Sequence, residues 1–432
     1  MMTQQRRWSV AILGMLMLEL PLAPIFAADD DASVIISNAD SGSQSPDVAI
    51  GPEGSINVVW IGANLAPPNA AQIAARGHSH DSSTDVFFAR SVDGGETFDA
   101  PRRLNVADGD VWGFAISKPR VAVGPDGIVH VLFPGNVRKP GASESETAAM
   151  YVRSSPGALS FEPPRRINVD ALSDDLPKDD GGSFGTIIVD RNNTVHAAWV
   201  DTRMMAANEY ARLFLATSVD GGKSFSRDRE ILASEVCPCC QLTSVVDANG
   251  RLLLGARLVD GQYRDNALVV LDDHGRGPVS KRFISGARWE LNGCPRKPTS
   301  LAARGKSIVA TYYSGAEQPD GVYVVHSSDA GVNWSSPQPM HPGALISDAP
   351  VAVFSGPRLY AVWHARTADG AGEFRLFASH SDDNGKTFAT PVALPLPAGS
   401  AKLPAVAARP DGRLQIVWQH DRTIRSLVWP LE

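Results

Sequence analysis

The sequence predicts an all-β protein, a β-propeller of seven four-stranded blades (six in the alternative) closed by its N-terminal strand. Three observations carry the prediction: a turn motif that returns four times, a hairpin motif that returns seven times, and the lack of any convincing helical segment. Composition agrees. In 432 residues, 38 Gly and 31 Pro imply many turns and short strands. The 43% hydrophobic and 20% charged residues exclude a disordered or fibrous chain.

The first residues lie outside that fold. Arg6 and Arg7 precede an apolar run, Val10 to Leu18, and small residues lead on to Phe26-Ala27-Ala28-Asp29. This is the three-part pattern of a secretory signal peptide, so residues 1–27 are expected to be removed. The run is too short to span a bilayer, and no later segment approaches ~20 apolar residues. Losing Arg6, Arg7 and Glu19 takes the formal net charge from -7 to -8. So acidic a chain is not expected to bind nucleic acid. The expected location is the periplasm or the exterior, an oxidising space.

The remaining residues, 30–432, read as one propeller domain. The turn motif is Ser91-Val-Asp93-Gly-Gly95-Glu-Thr97-Phe98, then Ser218-Val-Asp220-Gly-Gly222-Lys-Ser224-Phe225. It returns as Ser327-Ser-Asp329-Ala-Gly331-Val-Asn333-Trp334 and Ser381-Asp-Asp383-Asn-Gly385-Lys-Thr387-Phe388, with a degenerate copy over Ser154–Phe161. The aspartate bonds to nearby N–H groups, the glycine allows positive φ, and the aromatic plugs the sheet edge.

The hairpin motif covers Val48–Trp60, Val121–Phe133, Ile187–Trp199, Ser244–Ala256, Ser300–Thr311, Val351–Trp363 and Ala405–Trp418. Its turns, at Gly54, Gly127, Asn193, Gly250, Gly305, Gly356 and Gly412, recur every 51 to 73 residues, the period of a four-strand unit. The last unit has only three strands. Ser33–Asn38 resembles the outer strands Arg102–Asn105 and Arg165–Asn168, so it is expected to complete that unit and lock the ring.

The S-x-D-x-G-x-[TS]-[FW] turn resembles the Asp-box, or BNR repeat, of the sialidase superfamily, and the resemblance covers nearly all of residues 30–432. It implies a sialidase-like propeller in which Asp93, Asp220, Asp329 and Asp383 are structural turns on the face away from the site. It also implies glycoside hydrolase chemistry of sialidase type. Three arginines hold a carboxylate, a tyrosine made reactive by a glutamate is the nucleophile, and an aspartate is the acid/base. Where the family opens its first blade with Arg-Ile-Pro, this chain has Ser45-Pro46-Asp47-Val48, without arginine. Lys118-Pro119-Arg120 matches in part.

Propeller ligands bind at one end of the central channel, on loops between blades and between second and third strands. Those loops hold Asp110-Val-Trp112, Asp179, Cys237-Pro-Cys239-Cys240, the run Trp289-Glu290 to Cys294-Pro-Arg296-Lys297, His78-Ser-His80-Asp81, Asp201-Thr-Arg203 and Tyr312-Tyr313. Lys118, Arg120, Arg203, Trp289, Arg296 and Lys297 are therefore candidates to hold an anionic glycan or small ligand, and Lys402 adds to the ring of bases. The alternative is that these cations pair with Asp47, Asp110, Asp348 or Glu290 and serve only the fold. Tyr312, Glu290 and Asp81 are the catalytic candidates; the bland readings are a packed tyrosine and a solvated loop. A protein partner on the channel face is a third reading.

Four cysteines allow three pairings. Bridges within Cys237, Cys239 and Cys240 would be tight, so the comfortable bridge joins one of them to Cys294. The remaining thiols leave structural disulfides, a redox pair, or a soft metal such as copper or zinc held with His78 and His80.

Overall fold

The computed structural model describes residues 32–38, 42–63, 83–113, 116–137, 146–168, 181–203, 211–232, 234–367 and 372–430. The described part from Ala32 onward is one compact unit. It is all-β, and strands pair antiparallel in sequence order, as short turns between alternating apolar strands dictate. Among the described residues, five four-stranded blades stand separately. One comprises Ser183–Val189, Val195–Asp201, Arg212–Ser218 and Arg229–Leu232. The next has Thr243–Val246, Leu252–Asp260, Tyr263–Leu271 and Val279–Phe283. Thr299–Arg304, Ser307–Ser314, Gly321–Ser327 and Gln338–Pro339 make a third, and Ala344–Ser355, Arg358–Thr367, Arg375–Ser381 and Val392–Ala393 a fourth. In the last, Ala401–Ala408, Leu414–His420 and Thr423–Trp429 are joined by Val34–Ile35 from the other end of the chain.

The remaining strands form one nine-stranded sheet. Its members include Gln44–Ile50, Ile56–Ala63 and Ser83–Ser91, then Arg120–Val123, Val129–Val137 and Glu146–Arg153. The short strand Val111–Trp112 pairs with Ser83–Ser91 on one side and with Val129–Val137 on the other. The expected count of seven blades, or six, is therefore corrected to five four-stranded blades. The hairpin count registers local pairing only. It cannot register Val111–Trp112, which reads as a blade-to-blade loop yet fuses its two neighbours.

Apolar layers between successive sheets form the core. Trp60, Trp199, Trp363 and Trp418, one within each of four second strands, are completely buried. Burying such a side chain contributes ~2–3 kcal/mol. The four repeated turns share one hydrogen-bond pattern. Ser218 Oγ donates to Asp220 Oδ1 (2.7 Å) and accepts the Gly222 N–H (2.8 Å), while Ser224 N–H donates to Asp220 Oδ1 (2.9 Å). The turns at Asp93, Asp329 and Asp383 repeat it. Gly222 has φ +81°, and a Cβ there would lie 1.9 Å from Tyr151 Oη, so this turn requires glycine.

Candidate functional site

The innermost strands surround a cavity of about 400 Å³. Several enter it through the same device, a β-bulge next to a proline. Ser45, Ala349 and Leu403 have φ of +55°, +49° and +52°, each just before a proline, and the ladders slip at Gln44/Asp47, Asp348/Val351 and Lys402/Ala405. A bulge re-aims side chains at a sheet rim. Here the re-aimed stretches bring Asp47, Asp348 and Leu403 to the cavity. Below them the walls are apolar, with residues such as Val48, Val121, Ile187 and Val351; at the mouth stand Lys118, Arg120, Arg296 and Gln241.

Two carboxylates organise these cations. Asp47 Oδ2 accepts the Val121 N–H (3.0 Å) and lies 3.2 Å from Arg120 Nε, while its Oδ1 is 3.7 Å from Lys118 Nζ. Lys118 Nζ also donates to Pro46 O at 3.1 Å. Burial pushes the Lys118 ammonium down to about 8; Asp47 opposes the shift and Arg120 adds to it. Across the mouth, Lys297 pairs with Asp348 and lies 4.6 Å from the Tyr313 ring centre. Tyr313 in turn meets Trp289 at 5.7 Å, and the Arg257 guanidinium lies 5.1 Å from the Trp289 ring.

Sequence reasoning missed His364. It sits one residue beyond Trp363, opposite Asp348 in the ladder, and its Nδ1 accepts the Leu403 N–H at 3.3 Å. Burial drives its pKa down to about 4, Asp348 opposes this, and Lys297 and Lys402 reinforce it. At neutral pH His364 is therefore an uncharged acceptor behind the bulge. Its position just after a second-strand tryptophan was the available signal.

The cysteines lie at the same rim. A disulfide joins Cys239 to Cys294, with Cα atoms 6.2 Å apart, while Cys237 and Cys240 are buried thiols with sulfurs 3.4 Å apart. Burial opposes charge on Cys240. The hydrogen bond with Cys237, the Arg257 guanidinium and the backbone N–H groups of Lys297 and Arg296 outweigh it and hold that thiol low. The Cys237 thiol is raised, by that hydrogen bond and by burial. The cysteine corner thus grips the segment that carries Arg296 and Lys297. His78 and His80, proposed as co-ligands, lie outside the described residues, as does Asp81.

The other candidates are dispersed. Tyr312 is fully buried in the layer with Leu253, Ile308 and Tyr323, away from the cavity. Burial raises the pKa of its hydroxyl, and the Glu317 carboxylate adds to the shift. Glu290 is exposed and forms a bridge with Tyr263. Arg203 is buried and held by two carboxylates. It donates Nε to Asp201 Oδ1 (2.8 Å) and an Nη to Asp201 Oδ2 (2.6 Å) and to Asp228 Oδ2 (2.7 Å). Its guanidinium lies 4.1 Å from the Phe214 ring centre. Of the six ligand-binding candidates, Lys118, Arg120 and Arg296 line the cavity, and Lys297 and Trp289 stand beside Tyr313 near its rim.

No family model and no curated protein matches the sequence. Solved structures do. A polysaccharide lyase of family PL25, an ulvan lyase bound to -[GlcA(1-4)Rha3S]-, is 14% identical, with TM-score 0.57 over 92% of this chain and 96% of that one. A protein of unknown function from Dyadobacter fermentans is 14% identical, with TM-score 0.51 over 81% of this chain and 97% of that one. The NanB sialidase of Streptococcus pneumoniae is 12% identical, with TM-score 0.49 over 92% of this chain and 70% of that one, a score too low to argue from. At these identities the likeness to the first two shows a common β-propeller fold alone.

Proposed function

We propose that the channel mouth binds an anionic glycan, a sugar chain bearing carboxylate or sulfate groups, outside the cytoplasm. One observation carries this reading. Lys118 is kept at the cavity although burial works against its charge, and it stands with Arg120 and Arg296 above apolar walls. A group that costs stability and faces a cavity is a functional candidate. An anion there would take over part of the role of Asp47, and the apolar wall would receive the faces of the sugar rings. The ulvan lyase of similar fold supports the ligand class, since its repeat carries a uronate and a sulfate. The disulfide and the leader-like residues 1–27 support an extracytoplasmic location. A reaction of sialidase type needs a tyrosine and a carboxylate at the anion. Tyr312 lies in the core, and the reading proposed for the mouth is binding.

Titration calorimetry with sulfated, uronate-bearing, sialylated and neutral oligosaccharides tests the reading. Expected is binding of at least one anionic set, weakened by salt and reduced ~10–100-fold in Arg296→Ala, as the loss of a charge-assisted hydrogen bond predicts. Equal binding of neutral sugars, or no effect of Arg296→Ala, would sink it.

A further inference from the structure

The cysteine corner has a chemistry of its own, separate from glycan binding. The sulfurs of Cys237, Cys239 and Cys294 all lie within 4.8 Å of one another, and Cys237 is 3.9 Å from Cys239. With metal–sulfur bonds of ~2.3 Å, a tetrahedral thiolate site spaces its sulfurs by ~3.8 Å. The three atoms are therefore already close to the spacing of a metal's ligands, and only the bonded pair must part. Arg257, buried beneath them, supplies positive charge against the negative charge that three thiolates bring. Cys237 is buried, Cys239 half-buried and Cys294 exposed, so the set has a closed floor and an open side.

We propose that reducing the Cys239–Cys294 disulfide turns this corner into a three-thiolate site for a thiophilic d10 cation, Zn(II) or Cu(I), with Cys237, Cys239 and Cys294 as ligands. While the disulfide stands, two of the three sulfurs have no thiolate to offer and the site is closed. A dithiol reductant opens it. Its first thiolate attacks Sγ of Cys294, the exposed sulfur, and Cys239 leaves as a thiolate. Its second thiol then displaces Cys294 and closes a cyclic disulfide on the reductant. Two electrons and two protons have passed to the cysteines. Metal binding then sends the thiol protons of the three ligands to solvent. Cys240 touches this set through Cys237, at 3.4 Å, and orients that sulfur rather than binding the metal.

The test uses the whole chain, reduced anaerobically with dithiothreitol and desalted, beside the untreated protein. Zn(II) and Cu(I) are each titrated against a chromogenic competitor, and Co(II) serves as a spectroscopic probe of thiolate ligation. Expected is one equivalent of metal on the reduced protein, with thiolate-to-cobalt charge transfer, and less than about a tenth of an equivalent on the oxidised one. Cys237→Ser and Cys294→Ser should each weaken uptake ~100-fold, while Cys240→Ser keeps full stoichiometry. The cation held more tightly against its competitor identifies the natural one. Full uptake by the oxidised protein overturns the proposal. So does no uptake of either metal by reduced protein with native near-UV dichroism, an equal loss in Cys240→Ser, or unfolding on reduction. Glycan binding is measured on the oxidised protein, so the two proposals fail separately.

Discussion

Lys118 offers the sharpest check on the electrostatics of the mouth. In the unfolded chain its amine titrates near the ordinary 10.5; in the folded protein burial brings it to about 8. Between those values the unfolded state holds the proton and the folded state has given it up. Stability therefore rises with pH across the window from about 8 to 10.5, and below it the full cost of burying the ammonium is present. That cost is ~3 kcal/mol. Lys118→Met removes the charge and keeps the stem packed, and Asp47 still has Arg120 and the Val121 N–H. Guanidinium unfolding of both proteins at pH 7, 8, 9 and 10 gives the difference directly, since groups common to both cancel. Near pH 7 the variant should be more stable by ~2–3 kcal/mol, and the gap should close as pH climbs through the window. Parallel stability curves, or a variant that is weaker at every pH, would refute the argument that this lysine is retained against the interest of the fold.

Three further outcomes follow from the geometry. Tyr312→Phe should leave glycan affinity unchanged and alter stability by ~1 kcal/mol or less, because its hydroxyl lies in a core layer; calorimetry and denaturant melts check both. Asp201→Ala strips Arg203 of its bidentate partner and Trp199 Nε1 of its acceptor (2.9 Å), so it should cost ~3–5 kcal/mol in denaturant unfolding. His364, neutral down to about 4 when folded, takes a proton from 6.5 downward when unfolded. Stability should therefore fall as pH drops from 6.5 to 4, and His364→Gln should remove ~2–3 kcal/mol of that loss in melts at pH 7 and 4.5.

The propeller was legible because its signals are local. A serine, an aspartate and a glycine within five residues make one turn, and a tryptophan within a second strand marks one buried layer. The blade count failed at Val111–Trp112, whose two partners lie on different units and are invisible to a local pattern. Similar limits governed the site. Lys118, Arg120 and Arg296 could be placed at the mouth from their positions before inner strands. Asp47 and Asp348 could be named as partners for these cations, but not which cation each takes: Lys297 pairs with Asp348, 51 residues away. Arg203 looked like a site arginine, yet Asp228, 25 residues on, completes its burial. Tyr312 and Tyr313 show the narrowest margin. Neighbours in a strand face opposite ways, so one enters the core and the other reaches Lys297, and only the register decides which.

The strand Val34–Ile35 also sets a timetable. Ser37 Oγ accepts the Ile424 N–H across 387 residues of sequence. Val34–Ile35 stays unpaired until Thr423–Trp429 is available to receive it. Pairings so distant in sequence are the slow ones to form. Loss of Thr423–Trp429 would leave a ring with an open seam, two bare strand edges and an inviting template for another chain. Closure of the ring is thus itself a checkpoint on folding, set by a pairing between two strands distant in sequence.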